Sequence, residues 1–349
     1  MNARISCRRF SVCRSACAVL LAVAALLHGG CRAATQQTAA GPASALLPKN
    51  LLATLTGRQV NAELPITDPL ASDDGTSQGT SEHTADKIAT SYPVARWLNN
   101  EQLIPSNDRD WIEENKVLSV AEFHDDNKVT LRNIRNAEWL TRVDCLVSHY
   151  DRAYVLADLK TVDFIVVPFE NKTIAHTMLS FGFGQGDYVG VSAEVRVEKG
   201  EAYNAALGLG RQFELIYVVA DERDLLPVRV KQRQADVYIY RTVATPQQSQ
   251  AMFRDVMQRV NSLATTPEFY DTLSNNCTTN IARHVNALKP GRVPNDFRVL
   301  LPGYSDQLGY ELGLFDQSIP FADLKRRAWS NERILKYQHA PDFSARIRR

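Results

Sequence analysis

The stretch from Thr161 to Asp221 constrains the fold more than any other part of the chain. "TVDFIVVPF" (Thr161 to Phe169) is a dense β-branched and aromatic run, which predicts a central, buried strand. "AHTMLSFGF" (Ala175 to Phe183) and "DYVGVSAEVRVE" (Asp187 to Glu198) follow. Only Gly184, Gln185 and Gly186 separate them, which is hairpin chemistry. "FELIYVVAD" (Phe213 to Asp221) predicts a further strand. Upstream, "KVTLRNIRN" alternates Val129, Leu131 and Ile134 with polar neighbours, and downstream "DVYIYRTV" (Asp236 to Val243) repeats the strand pattern. Two helices are predicted to pack on this sheet. One is capped by Thr245, starts at Pro246 and carries the apolar stripe Met252, Phe253, Val256, Met257, Val260 and Leu263. The other begins near Cys277. Beyond Pro290 the chain reads as turn-rich with a basic tail. The predicted class is α+β, an antiparallel sheet packed against helices. The glycines of "GFGQG" are read as a turn. A phosphate-binding glycine loop would lead into a helix, and here the following residues alternate like a strand.

Residues 1–33 read as an export signal. Arg4, Arg8, Arg9 and Arg14 precede an apolar run of 12 residues, Ala16 to Leu27. A membrane span needs about 20 such residues, so this is a signal-peptide core. Two exits are open: cleavage after Ala33, or lipidation of Cys31 behind Gly29 and Gly30. Cleavage is preferred because His28 stands where a lipoprotein signal has leucine. Residues 34–91, rich in Ala, Thr, Ser, Gly and Asp, read as a disordered tether. Residues 92–349 are expected to form a single periplasmic domain, anchored to the membrane if Cys31 is lipidated. Removing 1–33, with its five arginines, leaves 35 basic and 39 acidic side chains, a net of −4. A nucleic-acid partner is therefore not expected. No later segment reaches 18 consecutive apolar residues.

Of six cysteines, Cys7, Cys13, Cys17 and Cys31 fall in the export signal, leaving Cys145 and Cys277. Two readings compete. In an oxidising compartment the pair could form a structural disulfide. Alternatively Cys277 is a nucleophile. In "NNCTTNIARHVNAL" it opens a helix capped by Asn276 or Thr278, where the positive helix end favours a thiolate. Ile281, Val285 and Leu288 share its helical face, so the thiol points inward.

His176 is the preferred base. On its strand His176, Met178 and Ser180 share one face, and Thr177, Leu179 and Phe181 the other. On the next strand Ser192, Glu194 and Arg196 form a polar row. Ser192 or Glu194 would orient the imidazole, with Arg196 as a partner for Glu194. His284, two turns beyond Cys277, and His149 and His124, in polar surroundings, are weaker candidates. No closely spaced His/Cys pattern or G-x-S-x-G elbow occurs, so neither metal, cofactor nor serine chemistry is expected.

"AHTMLSFGF", "VSAEVRVEKGE", "FELIYVVADERDL", "DVYIYR", "NNCTTNIARHVN" and "LLPGYSDQLGYELGL" together resemble the periplasmic domain of the Lnb-type proteins, over roughly Trp111 to Leu314. That family is similar to permuted papain-like thiol enzymes, which include NlpC-type cell-wall amidases and lecithin:retinol acyltransferase. The resemblance implies a permuted papain-like architecture, with Cys277 as nucleophile, His176 as base and Ser192 or Glu194 as the third member. Founding members acylate the amino terminus of lipoproteins and carry membrane-spanning helices after the domain, which this chain lacks.

The expectation is an exported Cys–His acyltransferase or hydrolase working through an acyl-thioester, on lipid or lipoprotein acyl groups and close to a membrane surface. The alternatives are a cell-wall peptide amidase of the same fold, or a non-catalytic envelope protein with a Cys145–Cys277 disulfide. An apolar pocket would favour acyl substrates, a polar groove peptides.

Overall fold

A computed structural model describes residues 104–349 except 171 and 202–211. The export signal, the tether and the start of the domain at 92 lie outside the described residues. The strands are β1 (Val120–Phe123), β2 (Lys128–Arg135), β3 (Glu138–Trp139), β4 (Cys145–Leu146), β5 (His149–Val155), β6 (Leu159–Pro168), β7 (Ala175–Phe183), β8 (Tyr188–Arg196), β9 (Glu214–Ala220) and β10 (Tyr238–Arg241). Eight form one sheet in the order β1-β2-β9-β8-β7-β6-β10, with β5 also paired to β2, and β3 and β4 form a separate two-stranded ribbon. Pairing is antiparallel throughout except for a single parallel step, Arg135 against Ala220, between β2 and β9. The class is α+β with a mostly antiparallel sheet, as the alternation implied.

The β7–β8 hairpin turns at Gly184–Gly186, and Gly186 sits at φ +86°, a conformation that glycine adopts without strain. β6 is not central. It lies next to last, with β10 outside it. Its apolar run reflects coverage of both faces instead: Val162, Phe164 and Val166 join one core, Ile165 and Val167 the other.

The helices are α1 (Glu113–Lys116), α2 (Glu222–Pro227), α3 (Pro246–Thr265), α4 (Cys277–Leu288), α5 (Phe297–Leu300), α6 (Ser305–Glu311), α7 (Phe321–Ala328), α8 (Asn331–Tyr337) and α9 (Phe343–Arg346). α3 begins where the sequence places it. Thr245 accepts from the Gln248 N–H, and the Gln248 side chain returns the bond. All six stripe residues are buried against the sheet. α4 lies beside α3 on the same face and touches β7 and β8. α2 covers the other face, with α8 and α9. Gly190 admits α2 closely, because a Cβ there would lie 2.4 Å from Leu225 Cδ1. The region after Pro290, read as turns, holds five short helices of four to eight residues. Pieces this short span about two turns or fewer, too few for a 3.6-residue period to show.

Candidate active site

Cys277 is the first residue of α4 and is 6% exposed. Asn276 caps the helix: its side chain accepts from the Thr279 N–H (2.9 Å), and the Thr279 hydroxyl accepts from the Asn276 N–H (2.8 Å). Asn276 Nδ2 also donates to the Thr272 carbonyl (2.7 Å), so the cap is held from below.

The sheet is opened at this point. β7 and β8 pair from Gly182/Tyr188 to Leu179/Val191, and the pairing stops there although both strands continue. The start of α4 meets the two strands at the unpaired end. Thr177, freed from β8, stands near enough to the Cys277 thiol to help draw its pKa down, and the sulfur lies 3.8 Å from Thr278 Oγ1. Thr177 Oγ1 also bonds Thr278 Oγ1 (2.9 Å), tying strand to helix.

His176, the neighbour of Thr177, belongs to the opposite face by the alternation of β7. Its Nε2 lies 2.6 Å from Ser192 Oγ, and the Ser192 hydroxyl donates to Glu194 Oε1 (2.7 Å). Since the hydroxyl gives its proton to Glu194, it accepts from Nε2–H, which leaves Nδ1 as the nitrogen free to act on the thiol. Glu194 Oε1 lies 3.5 Å from Nε2 and also accepts from Arg229 Nη2 (3.1 Å). The sequence left Ser192 and Glu194 as alternatives, and the structure uses both in series.

The electrostatics match this geometry. Burial pushes the Cys277 thiol up, but hydrogen bonding and charge from His176, with help from Thr177, pull it down from 9.0 to about 6. Burial pulls His176 down, yet bonds from Cys277 and Glu194 leave it above its usual value. Burial raises Glu194, while His176 and Arg229 hold it well below the ordinary carboxylate range. Both shifts run towards a thiolate beside an imidazolium.

A mostly apolar cavity of about 220 Å³ lies along α4 beyond Cys277, which is not itself part of the lining. Ile281 and Val285, one and two turns along α4 from Cys277, form one wall. Leu179 on β7, with Val162, Phe164, Met252, Leu308 and Phe315, forms much of the rest. The α4 stripe faces the core as expected, with Cys277 in the core cluster, and Ile281 and Val285 also line this cavity. Ile281, the lining residue of α4 nearest to Cys277, lies about 6 Å of helix rise from it, just over one turn.

Several expectations are corrected. Cys145 and Cys277 are both free thiols, so the disulfide of the non-catalytic reading is not formed. Cys145 sits in the β3–β4 ribbon, opposite Trp139, and burial and nearby acids push its thiol up to about 11. Arg196 does not pair with Glu194. It donates to the carbonyls of Asn115 (2.9 Å) and Lys116 (3.1 Å) and to Asn107 Oδ1 (2.8 Å), and stacks on Trp111. His284 bridges Asp255 (2.6 Å) and Tyr217 (2.9 Å), locking α4 to α3 and β9 away from the thiol. His124 bonds Thr130 on an exposed hairpin (2.9 Å). Among the described residues no group of three or more His, Cys, Asp or Glu is arranged to hold a metal, and no helix is long and apolar enough to cross a membrane.

Sequence reasoning missed Thr177, Thr278 and Arg229. The threonines stand next to the two reactive residues, which was the available signal. Arg229 lies in "VRVKQRQ", a stretch that reads as a solvated basic run.

No curated protein and no solved structure matches the chain. Residues 147–303, which contain His176, Ser192, Glu194, Arg229 and Cys277, match the Lnb N-terminal periplasmic domain. Over that span the chain is similar to a periplasmic-domain family, which fits export to the periplasm.

Proposed function

We propose that the protein is an exported thiol enzyme that takes an acyl group from a lipid or lipoprotein onto Cys277 and passes it to an amine or to water. The observation that carries this reading is the apolar cavity that begins one helical turn from an activated thiol. A peptide amidase would use a polar groove at the same place, and the aliphatic and aromatic lining favours a hydrocarbon chain. The permuted papain-like architecture belongs to this proposal, because the histidine strand precedes the cysteine helix. Lipidation of Cys31 would hold the enzyme at the membrane that supplies such substrates.

The chemistry follows from the named atoms. The Cys277 thiolate attacks the ester or amide carbonyl, and the carbon–oxygen π pair moves onto oxygen. The cap occupies the N–H groups of Asn276 and Thr279. Those of Cys277 and Thr278 remain without an intrahelical partner and can hold the oxyanion. Collapse expels the alcohol or amine, which takes the proton of His176. Neutral His176 then draws a proton from the incoming amine or water as it attacks the thioester. Glu194, through Ser192, steadies the imidazolium at each stage.

The test is mass spectrometry of the mature protein after incubation with esters of increasing chain length. An acyl adduct on Cys277, absent in Cys277→Ala, is expected. Val285→Phe should fill the cavity and cut adduct formation from long-chain esters about tenfold, the effect of losing roughly 1.4 kcal/mol of binding, while a two-carbon ester still reacts. No adduct from any ester would overturn the proposal.

A further inference from the structure

We propose that Arg229 is a positioning residue that sets the pH at which the Cys277–His176 pair becomes charged, acting through Glu194. The inference rests on the reading of Cys277 as nucleophile and goes beyond it in naming what tunes the pair. Arg229 is 5% exposed. It lies on a π-helical turn, Val228–Gln232, that directly follows Pro227 at the end of α2. Such turns are rare and are frequently found at functional sites. One arm of the guanidinium is anchored on the Leu225 carbonyl, and the other donates to Glu194 Oε1 (3.1 Å), the oxygen that also accepts from Ser192. Arg229 touches neither the thiol nor the imidazole.

Four buried charges meet at this site. Thiolate and imidazolium sum to zero, and so do Glu194 and Arg229. With all four ionised the site is neutral, a condition that a low-dielectric interior favours strongly. Without Arg229, the thiolate form leaves one unbalanced negative charge, and the sulfur holds its proton to higher pH. The other charged groups facing this cluster do not supply a substitute. Arg135 is held by Asp224 in a two-bond pair (2.7 and 3.0 Å), and that aspartate also accepts from the Ala137 N–H and Trp139 Nε1. Arg233 lies on the exposed end of the same turn and stacks on Trp139. Burial lowers Arg229 to about 10, so it keeps its charge across the pH range of interest.

The experiment is the rate of Cys277 alkylation by iodoacetamide against pH, in a Cys145→Ser background. The wild-type midpoint should lie near pH 6. Arg229→Met should raise it by about one unit, giving labelling about fivefold slower at pH 6 with an unchanged plateau at pH 9. Arg229→Lys should restore most of the shift. Arg229→Met/Glu194→Gln, which removes a neutral pair, should bring the midpoint back towards wild type. A curve for Arg229→Met that superimposes on wild type, or slows by one factor at every pH, would overturn the proposal. A wild-type midpoint near the ordinary thiol value of about 8.5 would overturn the nucleophile reading beneath it.

Discussion

The two faces of the sheet are built differently. On the α3–α4 face the contacts are mostly apolar, the His284 bridge aside: Phe253 meets Phe181 and Phe183 edge-on, with ring centroids 5.2 and 5.6 Å apart. On the α2 face buried ions are paired within the core. Arg135 holds Asp224, Arg229 holds Glu194, and Arg348 bridges Asp163 (2.6 Å) and Glu222 (2.5 and 2.9 Å). Hydrophobic burial is indifferent to protonation, whereas paired buried charges depend on it. The open end of the β7–β8 pairing is where the two faces meet. Cys277 comes from the apolar side, on the helix whose next turns line the cavity. His176, Ser192 and Glu194 come from the charged side. A reactive thiol needs both surroundings, and the split sheet supplies each from its own direction.

This division can be broken or sharpened by substitution. The largest effect is expected from His176→Ala, which removes the charge that pulls the thiol down. With Cys277 returned from about 6 to 9.0 or above, alkylation at pH 6 should slow by about 10³-fold. A fall of less than tenfold in stopped-flow labelling would mean that the thiolate does not depend on the charged face. Phe253→Ala acts on the other face. It should cost about 3–5 kcal/mol in urea unfolding, the usual cost of truncating a fully buried phenylalanine. The pH midpoint of labelling in the folded fraction should not move. If it does, the faces are coupled more tightly than the contacts indicate. The smallest effect is expected from Cys145→Ser in the two-stranded ribbon. Without a bridge to break, unfolding should change by no more than about 0.5 kcal/mol, and labelling of Cys277 should be unchanged with or without reductant. A loss of 2–5 kcal/mol, typical of removing a native disulfide, would restore the bridged reading.

Strand alternation and capping chemistry were readable because they are local. β7 matches its predicted bounds, and the Thr245 box and the Asn276 cap rest on residues three apart in sequence. The His176–Cys277 pairing was also legible, since a lone inward cysteine at a helix start left few bases to choose from. The serial use of Ser192 and Glu194 was not. Both stand on the same face of β8, and only the end of pairing with β7 brings His176 against the serine first. The place of β6 in the sheet was hidden for a related reason: an apolar run reports burial, and both a central strand and a covered outer one are buried.

Arg229 marks the boundary between the two kinds of information. Its sequence surroundings are those of a solvated basic run, and a charge has no periodic signature that tells a buried partner from water. The sequence by itself determined six of the ten described strands (β2 and β6 to β10), the two long helices, and which face of each carries the thiol and the imidazole, because these depend on residues within a few positions of one another. Only the tertiary structure decided that the sheet opens between β7 and β8, that a cavity lies along α4 beyond the thiol, and that Arg229 closes the charge balance at Glu194. Each of these depends on elements tens of residues apart, brought together by packing that no local pattern encodes.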